Sequence, residues 1–165
     1  KDPLYLSEDP LGCCSINVFR PGYYHAFHFD ESEFSTSIML QTAQDGGLFQ
    51  YTNLMRRNKD DLNLNQVASL VSKHATQGHV FEECCSSSSE NHNNDDEDDT
   101  TIPTLHTLEF EPGTLSIFCG SKSLHRVTQV VGERSRFTAI LTYATTPGFR
   151  NSPQVQEMFY GRSSQ

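Results

Sequence analysis

The chain has no Asn-x-Ser/Thr sequon, no Cys-x-x-Cys or His-x-x-x-His spacing and no span of about 18 apolar residues. These absences argue against a glycosylated secretory protein, a zinc module and a membrane-spanning helix. The five cysteines, Cys13, Cys14, Cys84, Cys85 and Cys119, are two adjacent pairs and a single. An odd number so placed is no disulfide framework, and free or buried thiols in a reducing, cytoplasmic compartment are the expectation. Clustered basic residues are also lacking: 12 Lys and Arg face 21 Asp and Glu, for a formal charge of −9. That balance offers no surface for nucleic acid or an anionic membrane.

Six of the acidic residues sit in one stretch, Ser86 to Thr101, which has no apolar residue to anchor it. It lacks the glycine and alternating ligands of a Ca²⁺ loop, so it reads as a solvated, disordered insertion. The other residues are close to charge balance. With 35% hydrophobic and 10% aromatic residues in 165, residues 1–165 are expected to form one domain around one core. The chain opens on Lys1, which reads as mid-protein, so a signal peptide or an N-terminal helical segment can lie upstream.

Short strands are expected at Cys13–Arg20, Tyr23–Phe29, Phe34–Gln41, Leu48–Thr52, Leu105–Phe110, Thr114–Cys119, Ser123–Val131 and Phe137–Thr145. Asp45-Gly46-Gly47 reads as the turn of a hairpin. Leu64, Val67, Leu70 and Val71 recur at helical spacing and predict one short helix over 65–75. This is the pattern of an antiparallel β-sandwich or barrel.

The chemistry centres on His28-Phe29-Asp30. Residues two apart on an extended strand share a face, so this imidazole and carboxylate can converge on one cation. His125, in Ser-Leu-His-Arg-Val-Thr on a late strand, supplies a third ligand. Two histidines and a carboxylate on one face of a metal leave positions open for oxygen chemistry. His25 could stand in for His28, but three residues along an extended strand it points the other way, and His28 is retained. Arg136 opens the next strand and can grip a carboxylate in a two-point fork, with Thr138 on the same face adding a hydroxyl. Arg134 shares its parity and is the reserve. Arg126 is expected to face away, in a structural salt bridge.

In this order and spacing, His28-x-Asp30, His125 and Arg136-x-Thr138 resemble the Fe(II)/2-oxoglutarate-dependent dioxygenases. With Glu33-Phe34, Met39-Leu40-Gln41 and Gly120-Ser121-Lys122-Ser123-Leu124-His125-Arg126-Val127-Thr128, the chain resembles more narrowly the branch of free-amino-acid hydroxylases and radical halogenases. The resemblance runs from about Cys13 to Gly148. It implies a mainly β, double-stranded β-helix (a cupin-like jelly roll) with few short helices, Fe(II) on His28, Asp30 and His125, and 2-oxoglutarate and O2 as co-substrates. Halogenases of that branch have glycine in place of the metal carboxylate. Asp30 therefore implies hydroxylation of an aliphatic C–H bond. The resemblance also implies that His25, Glu31 and Thr142 meet a small-molecule substrate, with a free amino acid the first candidate. The rival readings are a prolyl or other protein side-chain hydroxylase of the same chemistry, and a non-catalytic cupin-like barrel that binds a metal or small molecule. Structural readings remain for Tyr51, Gln41 and the aromatic group Phe19, Tyr23, Tyr24, Phe27 and Phe29, which are expected to pack.

Overall fold

Alternating and β-branched segments become strands, and their pairing decides the architecture. The computed structural model describes residues 3–58, 60–74 and 102–164; the expected acidic insertion at 86–101, with Cys84, Cys85, His79 and His92, lies outside them. In chain order the elements are β1 (Tyr5–Leu6), β2 (Cys14–Phe19), β3 (His25–His28), β4 (Phe34–Gln41), β5 (Asp45–Gly46), β6 (Phe49–Leu54), α1 (Leu64–His74), β7 (Leu105–Thr107), β8 (Leu115–Phe118), β9 (Ser123–Val127), β10 (Val130–Val131), β11 (Arg136–Ala144) and α2 (Pro153–Tyr160).

One five-stranded antiparallel sheet has β11 at its centre, with β1 and β2 along one side and β4 then β8 on the other. A four-stranded antiparallel sheet runs β3-β9-β6-β7, and β5 pairs with β10 in a two-stranded ribbon. Met39 of the first sheet packs with Phe49 and Val127 of the second and with Phe110, and Phe19, Tyr51, Leu108 and Phe118 close around them. A second cluster, Met55, Leu70 and Leu124, seats α1 through Leu70, with Phe27, Phe29, Val67 and Leu105 against it. No helix among the described residues is long and apolar enough to cross a membrane.

The mainly β expectation holds, but the double-stranded β-helix or jelly roll does not form: among the described residues no sheet is closed into a barrel. Among the described residues the edge strands β8, β3 and β7 have no pairing across the gap between the sheets, so both larger sheets are open there. Local pattern sets which face of a strand is apolar, whereas closure depends on which edges meet. The expected β4–β6 hairpin is also absent, because β4 pairs with β11 and β8 while β6 pairs with β9 and β7. Asp45-Gly46 is instead strand β5. Gly46 has φ 63°, and a Cβ there would lie 2.0 Å from the Gln129 carbonyl oxygen, so only glycine permits this approach. The expected single strand Ser123–Val131 breaks at Thr128, whose N–H and hydroxyl turn to Leu48, and it continues as β10 against β5.

Helix α2 was not anticipated. Ser152 caps its start by accepting the Val155 N–H, Pro153 occupies the first turn, and Gly161, left-handed at φ 65°, ends it.

Candidate metal centre

His28 closes β3 and lies directly opposite His125 on β9. Asp30 follows the end of β3 and is drawn back to the two rings by its own N–H, which donates to the Gly120 carbonyl at 3.0 Å. Ser35 Oγ of β4 donates to Asp30 Oδ2 at 2.7 Å and aims the other oxygen, Oδ1, at the imidazoles. His28 Nε2 is 3.6 Å and His125 Nε2 3.5 Å from Asp30 Oδ1. One ligand atom from each of the three lies within 4.8 Å of the others.

The orientation of each ring is set from behind. His28 Nδ1 stands 2.8 Å from the Ala26 carbonyl oxygen, and His125 Nδ1 stands 2.8 Å from that of Ser123. A carbonyl only accepts, so Nδ1 carries the proton and the lone pair of the neutral ring is on Nε2, facing Asp30. Burial drives the His28 pKa down to about 3, helped by the nearby His125 and His25 and opposed by Asp30. Burial raises that of Asp30, but His125, His28 and the Ser35 hydroxyl outweigh it and hold the group below the ordinary carboxylate value. A neutral imidazole and an ionised carboxylate share this space, with their lone pairs convergent and their outer atoms hydrogen-bonded. This is the donor set and supporting shell of a mononuclear metal site, and the residues fit a divalent cation such as iron.

Gly120 makes room for it. A Cβ at this position would lie 2.0 Å from Asp30 Oδ2 and 2.7 Å from its Cγ.

The three ligands line a cavity of about 500 Å³ between the two sheets, and Arg136 and Thr138 of β11 line it too. Arg136 is 3% exposed, and its Nη1 donates to Thr138 Oγ1 at 2.6 Å. The guanidinium lies beside the rings of Phe19 (5.5 Å) and Phe110 (6.0 Å), and its Nε is buried without a partner. Among the described residues no carboxylate comes within 4.0 Å of it. Desolvation lowers its pKa to about 10, so the group is still a cation at neutral pH. An uncompensated buried cation is costly unless an anion joins it. Arg134, the reserve, is tied instead to the Thr42 and Ala43 carbonyls and does not line the cavity. Arg126 does face away: it binds Gln50 Oε1 and lies over the Phe27 ring, and among the described residues it forms no salt bridge.

His25 is not where strand alternation puts it. Against β9, His25 pairs with Val127 and His28 with His125, so three steps on β3 match two on its partner. This bulge turns both imidazoles to one side, with ring centroids 4.0 Å apart. His25 lines the cavity, and its pKa is lowered by burial and by His125, against the pull of Asp30. Glu31 and Thr142 line it as well, each with a structural bond: Glu31 Oε2 accepts the Ser152 N–H at 2.6 Å, and Thr142 Oγ1 donates to the Gly12 carbonyl at 3.0 Å. Gln41 and Tyr51 stay outside, Gln41 on the Ser135 carbonyl and Tyr51 stacked on Phe49 with His106 tilted against it.

Sequence reasoning missed the side of the cavity built by α2: Val155, Met158, Phe159 and Tyr160. Their signal was present in the Ser152-Pro153 start, the Gly161 stop and apolar residues at positions 155, 158 and 159. Ser35, which aims the Asp30 carboxylate, carried no comparable signal.

The fold and the site of the described residues together define an open antiparallel β-sandwich in which a two-histidine, one-carboxylate cluster able to hold a metal shares a cavity with a buried arginine. No protein-family model matches the chain, and no curated protein matches it. Among solved structures it is similar to a Pseudomonas putida prolyl-4-hydroxylase, with TM-score 0.44 and 14% identity, over 79% of this chain and 50% of that one. The chain thus spans about half the length of that protein.

Proposed function

We propose that the protein is an Fe(II)- and 2-oxoglutarate-dependent hydroxylase of an amino-acid side chain presented within a polypeptide. The observation that carries this reading is the pairing, in one cavity, of the His28/Asp30/His125 triad with a buried Arg136 that no carboxylate of the described residues approaches. A domain that only bound a metal would have no use for such a cation. A dicarboxylate co-substrate gives it one.

His28, Asp30 and His125 would hold the iron. Bound Fe(II), with 2-oxoglutarate and O2, supplies oxidative decarboxylation to succinate and CO2 coupled to hydroxylation of an aliphatic C–H bond. Arg136 receives the far carboxylate of 2-oxoglutarate through its unpaired N–H groups, and Thr138 fixes the fork from below. Phe19 and Phe110 flank the guanidinium and keep water from the charge pair, which strengthens it. Beyond the metal, His25, Glu31, Thr142 and the α2 side chains line the remaining space, where the substrate carbon is oriented.

The substrate class follows from charge. Arg136 is the only Lys or Arg among the described residues lining the cavity, and 2-oxoglutarate would occupy it. A free amino acid would bring a second carboxylate with no cation to receive it, whereas a side chain in a peptide brings only neutral amides. This favours a prolyl or other protein side chain over a free amino acid.

Succinate release from the iron-loaded protein, screened over free amino acids and over short peptides containing the same residues, tests the proposal. Turnover with peptides and not with the free amino acids is expected. Turnover with a free amino acid alone would reverse the substrate assignment, and no succinate from any substrate, with 2-oxoglutarate unbound, would leave a non-catalytic metal-binding domain.

A further inference from the structure

Glu31 follows the metal carboxylate Asp30 in the chain, yet one of its oxygens is already committed. Glu31 Oε2 accepts the backbone N–H of Ser152, the residue that caps α2, at 2.6 Å. From this point the helix runs across the cavity to Phe159, whose ring meets His25 edge-on at 5.2 Å and lies 5.7 Å from the ring of the ligand His28. A second tie holds the same helix. Asp9, fully buried, accepts the N–H groups of Leu11 and Asn151 and the amide of Gln156, and Gln156 in turn accepts the Ser164 N–H. Helix α2 therefore touches the metal centre at both of its ends, through Glu31 beside one ligand and Phe159 against another.

We infer that Glu31 is a positioning residue acting through α2: its bond to Ser152 seats the helix, and the seated helix holds Phe159 over His28 and retards loss of the metal. This rests on reading His28, Asp30 and His125 as metal ligands. It differs from a substrate-binding role for Glu31, because the partner of the carboxylate is the protein's own backbone. The bond needs an acceptor oxygen and no charge, so glutamine can replace glutamate and alanine cannot. It also needs the Ser152 N–H, which proline lacks. Ser152 has φ −60° and ψ 152°, a conformation proline adopts without strain.

Two measurements test this: amide hydrogen exchange across residues 153–160 in the metal-free protein, and the rate at which bound Co(II) passes to excess EDTA. Glu31→Ala is expected to speed both about three- to tenfold, since one hydrogen bond is lost. Glu31→Gln should stay near the unsubstituted protein. Phe159→Ala should speed Co(II) release while leaving exchange at the start of the helix little changed. Ser152→Pro should reproduce Glu31→Ala beyond the effect of Ser152→Ala, which loses the cap but keeps the N–H, and this pair carries the test if Glu31→Ala does not fold. Unchanged exchange in Glu31→Ala would overturn the seating, and faster exchange with unchanged Co(II) release would overturn the coupling. Glu31→Gln behaving like Glu31→Ala would show that charge, not the bond, matters. Asp30→Ala is the control for the metal site: if it leaves Co(II) binding intact, the ligand assignment fails, and the inference with it, even where exchange in α2 responds to Glu31.

Discussion

At the scale of single residues, the centre depends on atoms that are absent as much as on those present. Gly120 is the clearest case, because any side chain there would start inside the carboxylate of Asp30. Gly120→Ala is predicted to lower divalent-metal affinity by about 10–100-fold, the range found when groups supporting metal ligands are disturbed. A Co(II) titration checks it, and unchanged affinity would mean that Asp30 can move and still bind. Arg136→Lys keeps the charge but loses the planar fork. It is predicted to weaken 2-oxoglutarate binding by about 1.5–3 kcal/mol, the worth of one hydrogen bond to a charged group, while metal affinity is retained, as calorimetry on the two ligands separately would show. The metal residues were legible because their types and order are restrictive: His28-x-Asp30, then His125, then Arg136. The side on which His25 lies was not, since a bulge leaves no mark in local alternation. Nor could spacing reveal that Glu31 serves a backbone N–H 121 residues away.

At the scale of elements, the long alternating strands were read correctly. β2 and β4 fall within a residue or two of their expected bounds, as does α1, whose apolar stripe at Leu64, Val67 and Leu70 is plain. Short elements were harder. β1, β5 and β10 have two residues each and exist through their partners, which no window over the local sequence can show. Helix α2 has eight residues and is held by caps and by the Asp9–Gln156 tie more than by propensity. Ser152→Ala removes the cap and is predicted to destabilise the fold by about 1 kcal/mol, as read from urea unfolding of the metal-free protein. A change near zero would place the stability of the helix entirely in its packing and in Asp9.

At the scale of the whole molecule, two open sheets enclose a cavity without closing into a barrel. The sequence carries enough to place apolar faces inward but not to say which edges meet, and for that reason the closed-barrel expectation failed although His28, Asp30 and His125 do come together. Burying the site has a consequence for stability. His28 has a pKa near 3 in the folded chain against 6.5 for the free group. Between these values the unfolded chain takes up a proton that the folded one refuses, so the contribution of this group is fully present above pH 6.5 and is lost as pH falls toward 3. The metal-free protein is thus predicted to lose stability on acidification through that window, and His28→Gln to lose less. Equal slopes in the two proteins, by urea unfolding across the window, would contradict the buried neutral imidazole.

The central claim, that the triad and Arg136 serve one iron and one 2-oxoglutarate, is tested most directly by anaerobic titration of the Fe(II)-loaded protein with 2-oxoglutarate. The readout is the visible metal-to-ligand charge-transfer band of the chelate. The account predicts a band that requires iron, is absent in Asp30→Ala, and needs far more 2-oxoglutarate to appear in Arg136→Ala. No band in folded, iron-loaded protein, or a band indifferent to Arg136, would contradict it.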